Sequence, residues 1–169
     1  MGKSLFLTVI YAVCSLCYMA AQGLVNVKHY SVKDGMSQNT VQGVLQDNEG
    51  YIWMATWNGL EKFDGYSFKN YKTYPTDKVK LQYNRLVNLQ LGGNQMLVCQ
   101  SYDRRVYLFD IRRECFEDVF VYHPEVKLCT AASKIITLPN GMVWIVGTNG
   151  DLWRIDCFRY KDKGGLVYL

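Results

Sequence analysis

From Val41 onward the chain alternates apolar and polar residues in short bursts, and Gly, Asn or Asp closes nearly every burst. Such alternation suits strands with one buried face, and no stretch holds apolar residues at helical spacing for three turns. The bursts repeat. Phe63-Asp64, Phe109-Asp110 and Ile155-Asp156 each set an aspartate after a large apolar residue, and the aspartates are 46 residues apart. A period of about 40–50 in an all-strand chain predicts propeller blades of four antiparallel strands, so the fold class is all-β with about three blades.

The repeat unit fills in around those aspartates. Copy one (41–72) runs from Val41 to Asp47, turns at Asn48-Glu49-Gly50, returns through Trp53, turns again at Trp57-Asn58-Gly59 and ends after Asp64. Copy three (130–169) has the turn Pro139-Asn140-Gly141, then Trp144, Asn149-Gly150 and Asp156, with a last strand expected near Phe158 to Tyr160 and over Leu166 to Leu169. In both copies Trp follows Gly by three and Gly follows Trp by six, while the threonines Thr56 and Thr148 are out of step by one, a mark of a bulge or a shorter turn in copy three. Copy two (83–121) is degenerate. It lacks the Trp, has Ser101-Tyr102-Asp103-Arg104 for the Asn-Gly turn, and should carry its fourth strand over Cys115 to Phe120.

Each feature has a physical reason. Gly50, Gly59, Gly141 and Gly150 supply the positive φ of tight hairpins. Asp64, Asp110 and Asp156 can accept backbone N–H groups in the turn that follows the third strand. Trp53 and Trp144 should occupy equivalent second-strand positions and be buried in the wedge between blades.

At these residues the chain resembles a known family. Gly50-x-x-Trp53, Thr56-x-Asn58-Gly59-Leu60 and Phe63-Asp64-Gly65 are similar to the two-component regulator propeller repeat, and His29 to Val41, with Met36 where Leu is usual, resembles the lead-in to its first blade (22–40). The resemblance spans residue 28 to about 160 and is closest in copy one. It implies the N-terminal part of the periplasmic sensor region of a hybrid two-component histidine kinase, responsive to glycans or their breakdown products. It also implies further blades, a membrane span and kinase modules elsewhere in a parent protein, with a homodimer among its assemblies. Three blades cannot close a ring that needs about four to eight. The expectation is therefore a piece of a longer protein, with an apolar face left open on the last blade.

The N-terminus sets the compartment. After Lys3 no charge occurs until Lys28, and the apolar run ends in Met19-Ala20-Ala21-Gln22-Gly23. That pattern predicts an export signal over residues 1–21, cut after Ala21 or, second, after Gly23; an uncleaved signal-anchor is the alternative. The fragment would then lie on the periplasmic side of the inner membrane. Of the six cysteines, Cys14 and Cys17 fall in the signal, and Cys99, Cys115, Cys129 and Cys157 follow no zinc spacing. Flanking apolar residues mark Cys99, Cys115 and Cys157 as small buried hydrophobes.

Composition narrows the function classes. Apolar residues make up 49% and charged residues 20%, which excludes disorder, and the net charge of +4 is interspersed in sign and points to no nucleic-acid partner. Asp47 and Trp53 are not spaced as in sialidase turns, and no Ser, Cys or carboxylate pair recurs near His29 or His123 in a catalytic pattern, so this chain is read as no enzyme. No cofactor or metal is expected. Ligand candidates lie on one end of the blades: Trp57 and Tyr102 for stacking, Arg85, Arg104 and Asn149 for hydrogen bonds. The opposite turns, 48–50 and 139–141, are short and offer little but backbone. The alternatives to a glycan sensor are a secreted propeller fragment used for protein or carbohydrate contacts and, behind it, a glycan-active propeller enzyme.

Overall fold

The structure, a computed structural model, describes residues 2–3, 6–11, 27–77, 79, 81–93, 95–123 and 131–169. Twelve strands form three four-stranded antiparallel sheets, each a simple meander. The first holds β1 (Val41–Gln46), β2 (Ile52–Thr56), β3 (Gly59–Phe63) and β4 (Phe68–Tyr71). The second holds β5 (Leu86–Leu91), β6 (Met96–Ser101), β7 (Val106–Asp110) and β8 (Cys115–Glu117). The third holds β9 (Ala132–Thr137), β10 (Met142–Gly147), β11 (Leu152–Asp156) and β12 (Leu166–Tyr168). These are the expected blades, side by side and not closed into a ring.

The aspartates act as the repeat predicts. Asp64 accepts from the Tyr66 and Ser67 N–H groups, Asp110 from Arg112 and Arg113, and Asp156 from Phe158. Each sheet also carries a register shift between its first two strands: between Val41 and Gly43, between Leu86 and Asn88, and between Val146 and Gly147. A bulge at one end of every blade adds local twist. The degenerate middle copy keeps all of this without the tryptophan.

Two apolar seams hold the blades together. Trp53, Ala55, Leu60 and Tyr71 of the first pack with Leu89, Leu97, Cys99, Tyr107 and Phe109 of the second. Met96, Val98, Val106 and Leu108 face Ile135, Val143, Ile145, Trp153 and Ile155 across the next seam. Burial follows from position: β6 is buried on both faces, whereas β10 and β11 alternate between buried and half-buried residues. Cys99 and Cys157 each sit in one seam as free thiols, and burial pushes the Cys157 thiol up to about 12. Cys115 is also free but only half-buried.

Several details differ from the sequence reading. Trp144 does occupy the position of Trp53, but it is half-buried, because its face of the sheet looks away from the second blade. The buried tryptophan of the third blade is Trp153 on the opposite face. The fourth strand of the second blade stops at Glu117 and gives way to a 3-10 turn, Val119–Tyr122, capped by Asp118. Phe158 to Tyr160 form turns, and the last strand is β12 alone. The turn in the third blade is longer than that of the first, not shorter. Thr56 pairs with Gly59 across two residues, whereas the Gly147 N–H reaches the Asp151 carbonyl across three. Gly150 thus stands one place before the equivalent of Gly59. A Cβ at Gly147 would lie 2.7 Å from the Trp153 ring, which explains why the threonine is displaced to 148.

The lead-in segment covers the first blade's outer face. Tyr30 packs on Phe63 and Phe68, Met36 is buried, and Ser37 donates both its N–H and its hydroxyl to the buried Glu61 carboxylate at 2.9 and 2.8 Å. Residues 6–11 are helical, and no helix among the described residues is long and apolar enough to cross a membrane. The cleavage position after Ala21 or Gly23, and Cys129, lie outside the described residues.

Candidate functional site

One end of the first two blades gathers three of the five candidates. Trp57 lies in the two-residue turn between β2 and β3, which Thr56 secures by accepting from the Asn58 N–H and donating to the Gly59 carbonyl. Gly59 is required there: its φ is +107°, and a Cβ would fall 2.3 Å from the Tyr71 carbonyl oxygen. With its backbone fixed in this way, the turn presents Trp57 at the rim.

Arg85 immediately precedes β5, and its carbonyl accepts the Tyr102 N–H at 2.8 Å. That bond fixes the β6–β7 turn over the start of β5. The Arg85 guanidinium then lies against two rings, with its carbon 3.5 Å from the Trp57 centroid and 4.5 Å from that of Tyr102. Each such contact contributes about 0.5–2 kcal/mol, depending on desolvation. Trp57 remains 42% exposed and Tyr102 60% exposed, so both rings also meet solvent.

The buried Nε of the Arg85 guanidinium has no hydrogen-bond partner among the described residues. Asp103, beside Tyr102 in sequence, accepts from the Ser101 hydroxyl and lies 3.8 Å from the Arg105 Nε.

Arg104 and Asn149 stand apart from the stack. Arg104 shares the Tyr102 turn, is exposed, and holds φ at +66°, the left-handed position that Gly150 fills in the third blade. Its carbonyl accepts the Ala132 N–H, which ties the rim of the second blade to the start of the third, where the Ala131 carbonyl accepts the Thr148 N–H. Asn149 is spent on its own turn, donating to the Asp151 carboxylate and accepting the Asp151 N–H.

Sequence reasoning missed a cleft of about 630 Å³ toward the outer strands, lined by Tyr71, Thr73, Glu114, Cys115, Glu117 and Tyr122 among others. Its carboxylates are internally matched. Glu114 accepts from Lys69 and the Tyr71 hydroxyl; Glu117 accepts from Arg113, Lys161 and the Tyr122 hydroxyl. Burial alone would raise the Glu117 carboxyl, but Tyr122 and Lys161 bonding to it, with the Arg113 charge, hold it below the usual glutamate range. The dense run Arg112 to Glu117 was the available signal. The histidines are placed outside both features: His29 is exposed, and the buried His123 caps the 3-10 turn with Nε2 2.6 Å from the Tyr160 carbonyl.

Known proteins share the fold and part of the sequence. No family model matches the chain. Over 76 residues, 45% of this chain, it is 32% identical to histidine kinase P4 of Formosa agariphila, and it spans only 6% of that protein's length. Among solved structures it resembles two of the extracellular domain of BT4673 from B. thetaiotaomicron, assigned in one to a one-component system (TM-score 0.53, 24% identity) and in the other to a hybrid two-component system (TM-score 0.53, 23% identity). Both likenesses cover 76% of this chain and 15% of the solved one. The N-terminal domain of Nup159 matches at a TM-score of 0.50 with 12% identity over 76% of this chain and 29% of that one. The chain thus has the blade fold of two-component extracellular domains, a fold that other proteins use as well.

Proposed function

We propose that this chain contributes blades to the periplasmic sensing propeller of a hybrid two-component histidine kinase, and that its ligand is a glycan or a glycan breakdown product. Export by the N-terminal signal would place it there, and the phosphorelay would reside in other modules of the parent. The observation that carries the reading is the rim stack of Trp57, Arg85 and Tyr102, in a chain part of whose sequence matches a histidine kinase and whose fold matches two-component extracellular domains. Aromatic faces beside a fixed donor suit a saccharide, which offers an apolar ring face and a rim of hydroxyls.

The test is the thermal midpoint of the purified chain against a panel of oligosaccharides. At least one should raise the midpoint; Trp57→Ala should abolish the rise, and Glu49→Ala, on the opposite turns, should keep it. A panel without effect, or loss only in Glu49→Ala, removes this end of the blades from recognition.

A further inference from the structure

Resting on that reading and narrowing it, we infer that Arg85 is the docking point for the carboxylate of an acidic saccharide, and that Trp57 and Tyr102 hold its guanidinium ready for it. Both rings lie against the guanidinium, at 3.5 and 4.5 Å from its carbon, which leaves its edge as the side for a ligand. That edge carries the planar fork of N–H donors that matches a carboxylate with two parallel bonds. A free arginine loses much rotamer freedom when it grips a ligand; one held against two rings has lost part of it beforehand.

The surroundings favour an incoming anion. Arg113, Arg105 and Arg159 all have a carboxylate oxygen within 4 Å, at 2.6, 3.8 and 3.5 Å, but Arg85 has none among the described residues. Asp103, one residue from Tyr102, is turned to Ser101 and Arg105 instead. A half-buried guanidinium whose Nε is sealed off and unpartnered carries a desolvation cost that a ligand acceptor at its edge would offset. A uronate suits the place because its carboxylate is planar and stands directly on the pyranose ring, within reach of the exposed parts of Trp57 and Tyr102. A sulfate ester has the charge without the planarity, and a neutral sugar has neither.

Calorimetry on the purified full chain separates these ligands, with trigalacturonate, neutral galactotriose and a sulfated galactotriose as probes. Trigalacturonate should bind about tenfold or more tighter than the neutral sugar, and the preference should shrink as salt rises. Arg85→Gln should erase the preference, bringing the acidic and neutral affinities together; Arg85→Lys, with a charge but no fork, should restore only part of it. Arg104→Gln serves as the surface control and should keep the preference. Equal binding of acidic and neutral sugars by the unaltered protein, a measurement that needs no variant, would overturn the inference and leave glycan sensing standing. Equal binding of the sulfated sugar would overturn the carboxylate assignment, and no binding of any probe would sink both this inference and the reading beneath it.

Discussion

The seam between the first two blades and the outer flank of the third are built from the same repeat position and have opposite surroundings. Trp53 is sealed between Tyr71 and Phe109, with its indole N–H on the Asp47 carboxylate at 2.7 Å. Trp144 has the same place in its own sheet and stays half-buried, with Ile136 exposed on the neighbouring strand. Between them in sequence, Val98 fills that position in the middle blade and is buried against the third. A residue's place in a blade decides which way it points; whether it is buried depends on the next blade. The first blade's outer face shows the same rule from the other side, since there the lead-in segment takes the neighbour's part.

The largest effect should come from the tryptophans themselves. Trp53→Ala should cost roughly 3–5 kcal/mol, as for a large core aromatic, and Trp144→Ala no more than about 1.5 kcal/mol. Urea unfolding followed by circular dichroism measures both. Equal losses would mean that something covers the third blade's flank as closely as the second blade covers the first.

The lead-in comes next. Ser37→Ala takes one donor from the buried Glu61 carboxylate and should cost about 1–3 kcal/mol. Hydrogen exchange should show the loss concentrated at residues 31–37 and in β3. A uniform rise across all three sheets would contradict the idea that this segment replaces a neighbouring blade on one face.

The smallest effect concerns the edge of the second seam, where Glu117 on β8 meets Lys161 from the third blade at 3.0 Å. Because its carboxyl is held below the usual range in the folded state, its contribution is fully present above the ordinary glutamate value and fades as pH falls through the lower, folded value. The stability gap between the unaltered protein and Glu117→Gln should therefore be widest near neutrality and narrow on acidification, read as urea midpoints across pH. A gap independent of pH would place the carboxylate's charge outside the seam's energetics.

The blade plan was legible because its signals are local. Alternation marks strands, and the three aspartates mark turns even where the middle copy has lost its tryptophan. What escaped the sequence depends on partners far along the chain. Nothing near Trp153 distinguishes it from Trp144; only the choice of face does, and that is settled by the second blade. Val119–Tyr122 reads as a strand by apolar content, yet Asp118 caps it into a 3-10 turn. At the rim, Trp57, Arg85 and Tyr102 were identifiable one by one as exposed polar and aromatic loop residues. Their stacking was not, because a backbone bond between Arg85 and Tyr102 brings two loops together across a whole hairpin.

The two seam cysteines have a consequence of their own. Cys99 belongs to the first seam and Cys157 to the second, and burial keeps both thiols from becoming the reactive thiolate. Each therefore works as a stopwatch for its own seam, silent while two blades stay shut and started by the first separation that lets a reagent in. The protein's breathing is thereby resolved blade by blade, since the two clocks are free to run at different rates.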